Sequence, residues 1–210
     1  MKYDLVNEVL EDTTKVVGKA CLNEVPIIGP LVSAAIDIFS NKVSKKRFEK
    51  WAKLVEKKLE NLEKKIDETN ERFFSALVKT TQIVAKTHQD EKLEYLANAL
   101  MNSDDIDLED DLSQYFLGLI EKYTPSHIKV LLSYPIVTEN IFYEQNKIRE
   151  DNEIQGLRKI YSSQLSSDGL IGFAAANDMG EVLMPLGEKF LRFILTNSKD
   201  GKELFNKQEN

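Results

Sequence analysis

Apolar residues recur at helical spacing through most of this chain. Leu5, Val6, Val9 and Leu10 fall on one face, which predicts an amphipathic helix over residues 3–20. Val25-Pro-Ile-Ile-Gly-Pro30 breaks it, because each proline disfavours helical geometry at the residue before it. Leu31 to Phe39 resumes as a short apolar helix interrupted by Asp37. The clearest pattern follows. Phe48, Trp51, Val55, Leu59, Leu62, Ile66, Phe73, Leu77 and Val84 form one stripe, carried by one long helix or by two abutting helices. The stripe turns polar at Thr69-Asn70, and Lys and Glu fill the opposite face as a solvated ladder.

Beyond His88-Gln89-Asp90 a new helix is expected, with Asp90 as its N-cap and Leu93, Leu96, Ala97, Leu100 and Met101 facing inward. Residues 102–111 read as a polar connector, and Leu112 to Tyr123 as another apolar-faced helix. Thr124-Pro125 predicts an N-cap followed by proline at the first helical position, where its missing N–H costs nothing. Helices are then expected at 126–134, around 138–149 and around 153–167. After Gly169 come a short apolar strand, a small-residue turn, a second short strand and a closing helix. That order is the order of a winged-helix unit.

The pattern therefore predicts an all-α protein. Residues 1–103 would be an N-terminal helical bundle, with an apolar hairpin at 25–39 and a long charged helix or helical hairpin over 41–88. Residues 104–197 would be a winged-helix-like domain with a short β-hairpin, and 198–210 a polar tail. A length of 210 residues with 42% apolar and 30% charged residues fits a globular chain able to bury a real core. The 9 Gly and 5 Pro favour long helices over a strand-and-turn fold.

Charge changes the picture at one point. The net charge of -7 sets the molecule as a whole against nucleic acid and anionic membranes. Residues 41–67, however, hold ten Lys or Arg against five acids, while 104–210 hold nineteen acids against eleven bases. A polyanion contact would have to use the first segment. Cys21 is the single cysteine, so no disulfide within the chain is possible. The acidic opening Met1-Lys-Tyr-Asp-Leu-Val-Asn-Glu does not read as a signal peptide, and the expected location is cytoplasmic or membrane-associated.

Catalytic and cofactor signatures are missing from the sequence. There is no G-x-x-x-x-G-K-[ST], no G-x-G-x-x-G and no G-x-S-x-G, and the glycines stand apart. His88 and His127 have no neighbouring ligand pattern, and each reads as a satisfied or solvent-facing histidine. The acids from Asp104 to Asp111 invite a calcium loop. A loop starting at Asp105 would need Gly where Asp110 stands and Glu where Phe116 stands. They read instead as a solvated connector that caps the next helix. No catalytic, cofactor-binding or metal-binding residue is assigned, and an enzyme is not expected.

Three functional readings remain. In the favoured one the protein is non-enzymatic and works by protein–protein contact and self-association as a dimer, through Phe48, Trp51, Val55, Leu59 and Leu62. In the second, the Gly/Pro-broken stretch 25–39 and its basic flank act on a membrane as a pore-forming or membrane-disrupting effector. Its contacts would be Ile27, Ile28, Leu31, Ile36 and Phe39, with Lys45, Lys46 and Arg47 meeting anionic lipid. The rival to both is that 25–39 is simply buried core. In the third, the winged-helix-like unit reads DNA through Arg158 and Lys159. The acids Glu153, Asp168 and Glu181 oppose that reading, and a nucleic-acid partner is not expected.

Pro26-Ile-Ile-Gly-Pro-Leu before a charged helix, Glu94-Tyr-Leu-Ala-Asn-Ala-Leu100 and Met184-Pro-Leu-Gly-Glu-Lys-Phe-Leu-Arg-Phe-Ile194 resemble the abortive infection alpha-like group of small helical bacterial proteins. The resemblance implies a phage-defence or prophage accessory role and carries over no catalytic residue.

Overall fold

Helices dominate the described part of the protein, and a small sheet lies in its C-terminal half. The computed structural model describes residues 42–61, 71–103, 108–137, 142–143, 152–173 and 180–195. The stretch 25–39, the tail 198–210 and Leu62 lie outside them. By packing, the chain divides into two compact units, Met1–Glu121 and Lys122–Asn210.

The first unit holds α1 (Lys42–Asn61), α2 (Glu71–Lys86), α3 (Lys92–Asn102) and most of α4 (Asp110–Lys122). Helices α1 and α2 pack on each other and both pack on α3. The long stripe is therefore folded back as a pair of helices rather than continued as one. Phe48, Trp51, Ala52 and Val55 of α1 are buried, as are Phe73, Ala76, Leu77, Ile83 and Val84 of α2. Leu93, Leu96, Ala97 and Leu100 fill the α3 side and are fully buried. Each such leucine or phenylalanine gains about 1.5–3 kcal/mol from leaving water, which is what fixes these faces inward.

Two sequence expectations change here. Asp90 does not cap α3. The N-cap is Glu91, in helical geometry and without a side-chain cap, while the Asp90 carboxylate pairs with Lys50 of α1 at 2.7 Å. The boundary between units also falls at Glu121, not near residue 103. Helix α4 is tied to α2: Gln114 Nε2 donates to Ser75 Oγ at 3.1 Å, and Lys79 Nζ meets Glu121 Oε2 at 3.0 Å. Arg72 of α2 likewise donates to the Leu108 carbonyl at 3.1 Å. The acidic connector looks like a linker by composition, yet the helix after it belongs to the first unit.

The second unit contains α5 (Pro125–Leu132), β1 (Ile136–Val137), β2 (Phe142–Tyr143), α6 (Asn152–Ser167), β3 (Ile171–Phe173), β4 (Glu181–Leu183) and α7 (Pro185–Leu195). Thr124 is extended at the N-cap of α5 and Pro125 follows at the first position, as the sequence indicates. Strands occur at 136–137 and 142–143, the second of them inside the stretch around 138–149 expected as a helix. Pro135 cannot donate to a helical ladder, and Ile136-Val137 and Phe142-Tyr143 are β-branched and aromatic residues that favour extended backbone.

The strand order is β2-β1-β4-β3. Strands β3 and β4 form an antiparallel hairpin with Ile171 opposite Leu183 and Phe173 opposite Glu181. Strand β1 joins β4 in parallel at Ile136 and Leu183, where the Leu183 N–H also donates to the Pro135 carbonyl at 2.9 Å. Gly169 and Gly180 both have φ of 73°, and each stands just before a strand of the hairpin. Gly187, in the first turn of α7, is required by proximity. A Cβ there would lie 2.2 Å from the Leu170 carbonyl oxygen.

Candidate functional site

Among the described residues, the most outward-facing apolar side chains of the second unit come from α6 and the hairpin. Strand alternation puts Ile171 and Phe173 on the same face, but Ile171 is buried while Phe173 is 78% exposed. The hairpin thus runs past the edge of the core and carries Phe173 out of it. On α6, Ile160 is 66% exposed. The other exposed α6 side chains and glycine are Gln155, Gly156, Lys159, Ser163, Ser166 and Ser167. Among the α6 residues whose exposure is described, Lys159 is the one exposed charge.

Arg158 would be the second cation of a DNA-reading helix, and it is held by its own unit. Its guanidinium lies over the Tyr134 ring, 4.3 Å from the centroid, and Nε donates to Ser133 Oγ at 2.8 Å. A further N–H donates to the Ser133 carbonyl. The Tyr134 hydroxyl in turn donates to Glu181 Oε2 at 3.1 Å. Burial pushes the Tyr134 phenol up to about 12; the Glu181 charge and hydrogen bond add to the rise, and Arg158 opposes it. The cluster links the end of α5, α6 and β4.

His127 is satisfied and buried rather than solvent-facing. Its Nδ1 accepts the Thr124 N–H at 3.2 Å, and Nε2 lies 3.1 Å from Gln164 Oε1 on α6. With Nδ1 accepting, the proton sits on Nε2 and is donated to Gln164. The ring is stacked between Tyr123, at 5.0 Å, and Tyr161, at 3.8 Å. Asp168 holds the Tyr123 hydroxyl and accepts from Lys122 Nζ at 2.6 Å. These contacts clasp α5 to α6 and give His127 a structural role.

In the first unit, three lysines gather at Glu121. Lys79 and Lys86 meet its two carboxylate oxygens at 3.0 and 3.1 Å, and Lys92 donates to its main-chain carbonyl at 3.1 Å. Burial pushes the Glu121 carboxyl up, but the hydrogen bonds and charges of Lys79 and Lys86 outweigh it and hold the group below its usual range. Burial lowers the Lys92 ammonium, opposed by the charge of Glu121. One part of this cluster is visible in the spacing alone: Lys79 and Lys86 are seven apart, on one face of α2.

The residues picked from the sequence for self-association are placed otherwise. Phe48, Trp51 and Val55 are each 2% exposed, packed inside the first unit, and Leu59 is half-buried. Phe48, Trp51 and Val55 therefore already fill the core of their own unit. Of the basic flank, Lys46 is exposed, while Lys45 and Arg47 are half-buried and the Arg47 Nε is shut off from water. The apolar contacts Ile27, Ile28, Leu31, Ile36 and Phe39 fall outside the described residues. No helix among the described residues is long and apolar enough to cross a membrane. Nor do the described residues contain a group of three or more His, Cys, Asp or Glu placed to hold a metal ion. Comparison of the chain with protein-family models, curated proteins and solved structures finds no match.

Proposed function

We propose that this protein is a non-enzymatic interaction factor whose C-terminal unit acts as a winged-helix-like protein-binding module. The order α5, β1, β2, α6, hairpin, α7 supports the winged-helix reading, with α6 as the helix before the wing and β3–β4 as the wing. The observation that carries the functional reading is the exposure of apolar side chains on α6 and on the wing. These are Ile160 and Phe173, while Arg158 is turned onto Tyr134 and Ser133. Duplex recognition needs several cations free for phosphates, whereas an apolar contact rimmed by serines suits a protein surface. The resemblance of three short stretches to abortive infection alpha-like proteins supports a role in bacterial phage defence or prophage biology.

Photoreactive residues substituted at Ile160 and Phe173 in the producing cell test the proposal. Crosslinks to one discrete protein, a second copy included, are expected from both positions and not from Ser75 on α2. Binding to duplex DNA at low salt that steepens as salt falls, together with crosslinks no stronger than at Ser75, would replace this reading with a DNA-binding one.

A further inference from the structure

Lys92 opens α3 with only 6% of its surface exposed. An ammonium has three donors, and a buried one needs them filled or faces a large desolvation cost. Among the described residues, the one acceptor within reach is the Glu121 main-chain oxygen, a carbonyl rather than a counter-ion. The nearby anion, the Glu121 carboxylate, is taken on both oxygens by Lys79 and Lys86. Two ammoniums thus meet one carboxylate, and a third, the most buried, meets the main-chain oxygen of the same residue with no second acceptor among the described residues. The cluster is still reachable from water, since the Lys86 side chain is 64% exposed and that of Glu121 35%.

The chemistry that completes such a group is an anion with several oxygens, able to accept from more than one ammonium at once. We propose that Lys79, Lys86 and Lys92 form a binding site for a small phosphate-type oxyanion, either the free ion or the end of a small phosphomonoester. The Glu121 carboxylate is the internal anion that the ligand displaces. Its main-chain carbonyl stays on Lys92, so the exchange moves one side chain and leaves α4 in place. The residues of the site all belong to the first unit.

Calorimetric titration of the full chain with inorganic phosphate, with chloride matching the ionic strength, tests the site directly. Glu121→Gln removes the competing charge and is expected to bind phosphate about tenfold more tightly than wild type, roughly 1.4 kcal/mol. Lys86→Gln, at an exposed position that does not threaten the fold, is expected to weaken binding in the Glu121→Gln background by a similar factor. Lys92→Met in that background should abolish it, and circular dichroism distinguishes lost binding from lost folding. Glycerol phosphate in place of inorganic phosphate separates the sources: equal or tighter binding identifies the monoester, and binding of inorganic phosphate alone identifies the free ion. Heat signals no larger in phosphate than in chloride for Glu121→Gln, or phosphate binding indifferent to Lys86→Gln, would overturn the proposal.

Discussion

The guanidinium carbon of Arg158 lies 4.3 Å from the centre of the Tyr134 ring, and its Nε–H is held by the Ser133 hydroxyl at 2.8 Å. An arginine that sequence reasoning offers to DNA phosphates is a bolt between the C-terminus of α5 and the middle of α6. Arg158→Ala is expected to destabilise the second unit by about 1–3 kcal/mol, the range for breaking a partly buried charged hydrogen-bond network. Arg158→Lys should recover little, because an ammonium cannot both stack on the ring and donate two fixed bonds. Chemical denaturation followed by far-UV circular dichroism reads both values. Variants as stable as wild type would make the contact decorative.

Glu121 makes acid stability depend on one carboxylate. Its folded pKa lies below the unfolded value, so the native state is favoured where the group is ionised in both states, above the unfolded carboxylate range. That stability is lost as pH falls through the folded pKa. With its side chain 35% exposed, solvent screening limits the effect to roughly 0.5–1 kcal/mol. Denaturation midpoints between neutral pH and mild acid should therefore fall less steeply for Glu121→Gln than for wild type. Parallel curves would remove Glu121 from the acid limb.

Two glycines should respond in opposite directions. Gly187→Ala puts a methyl group 2.2 Å from the Leu170 carbonyl oxygen, where backbone must move, and should cost about 3 kcal/mol. Gly118, in the interior of α4, has nothing within 4 Å of a built Cβ. Gly118→Ala should add about 0.5–1 kcal/mol through helix propensity alone. Thermal melts of the two variants, measured together, check the sign as well as the size.

Trp51 is the single tryptophan of the chain and is buried in the first unit, 5.6 Å from the Phe48 ring. Its emission should be blue-shifted when native and should report the unfolding of the first unit only. The indole N–H is buried without an acceptor among the described residues. Trp51→Phe, which removes that donor and keeps a ring, should cost less than Trp51→Ala, for which about 3–5 kcal/mol is expected. Trp51→Glu should unfold the first unit rather than yield a folded, smaller particle. A stable, helical Trp51→Glu monomer from a wild-type dimer would restore the self-association role that burial argues against.

Ile160→Asp and Phe173→Asp should leave stability within about 0.5 kcal/mol of wild type, as substitutions at exposed positions do. Equilibrium denaturation measures this, and it separates a contact surface from a core. A loss of several kcal/mol would mean that either side chain is covered in the native protein.

Helical periodicity alone determined the helical class, the inward faces of α2 and α3, and the start of α5 at Thr124-Pro125. Those features depend on side chains three or four apart and on backbone rules that hold within one turn. The same local reasoning placed a helix around 138–149, whereas Phe142-Tyr143 pairs as a strand with Ile136-Val137, which the distant β4 joins. The Phe48–Val55 stripe shows why the candidate contact surface was not legible. Periodicity identifies an apolar face but not what covers it, and here α2 and α3 do. Arg158 and Glu121 make the same point for charge. Composition counts a cation or an acid, whereas only tertiary packing brings Tyr134 and Ser133 to the one and Lys79, Lys86 and Lys92 to the other. Groups far apart in sequence share an electrostatic environment only once the chain has folded back on itself.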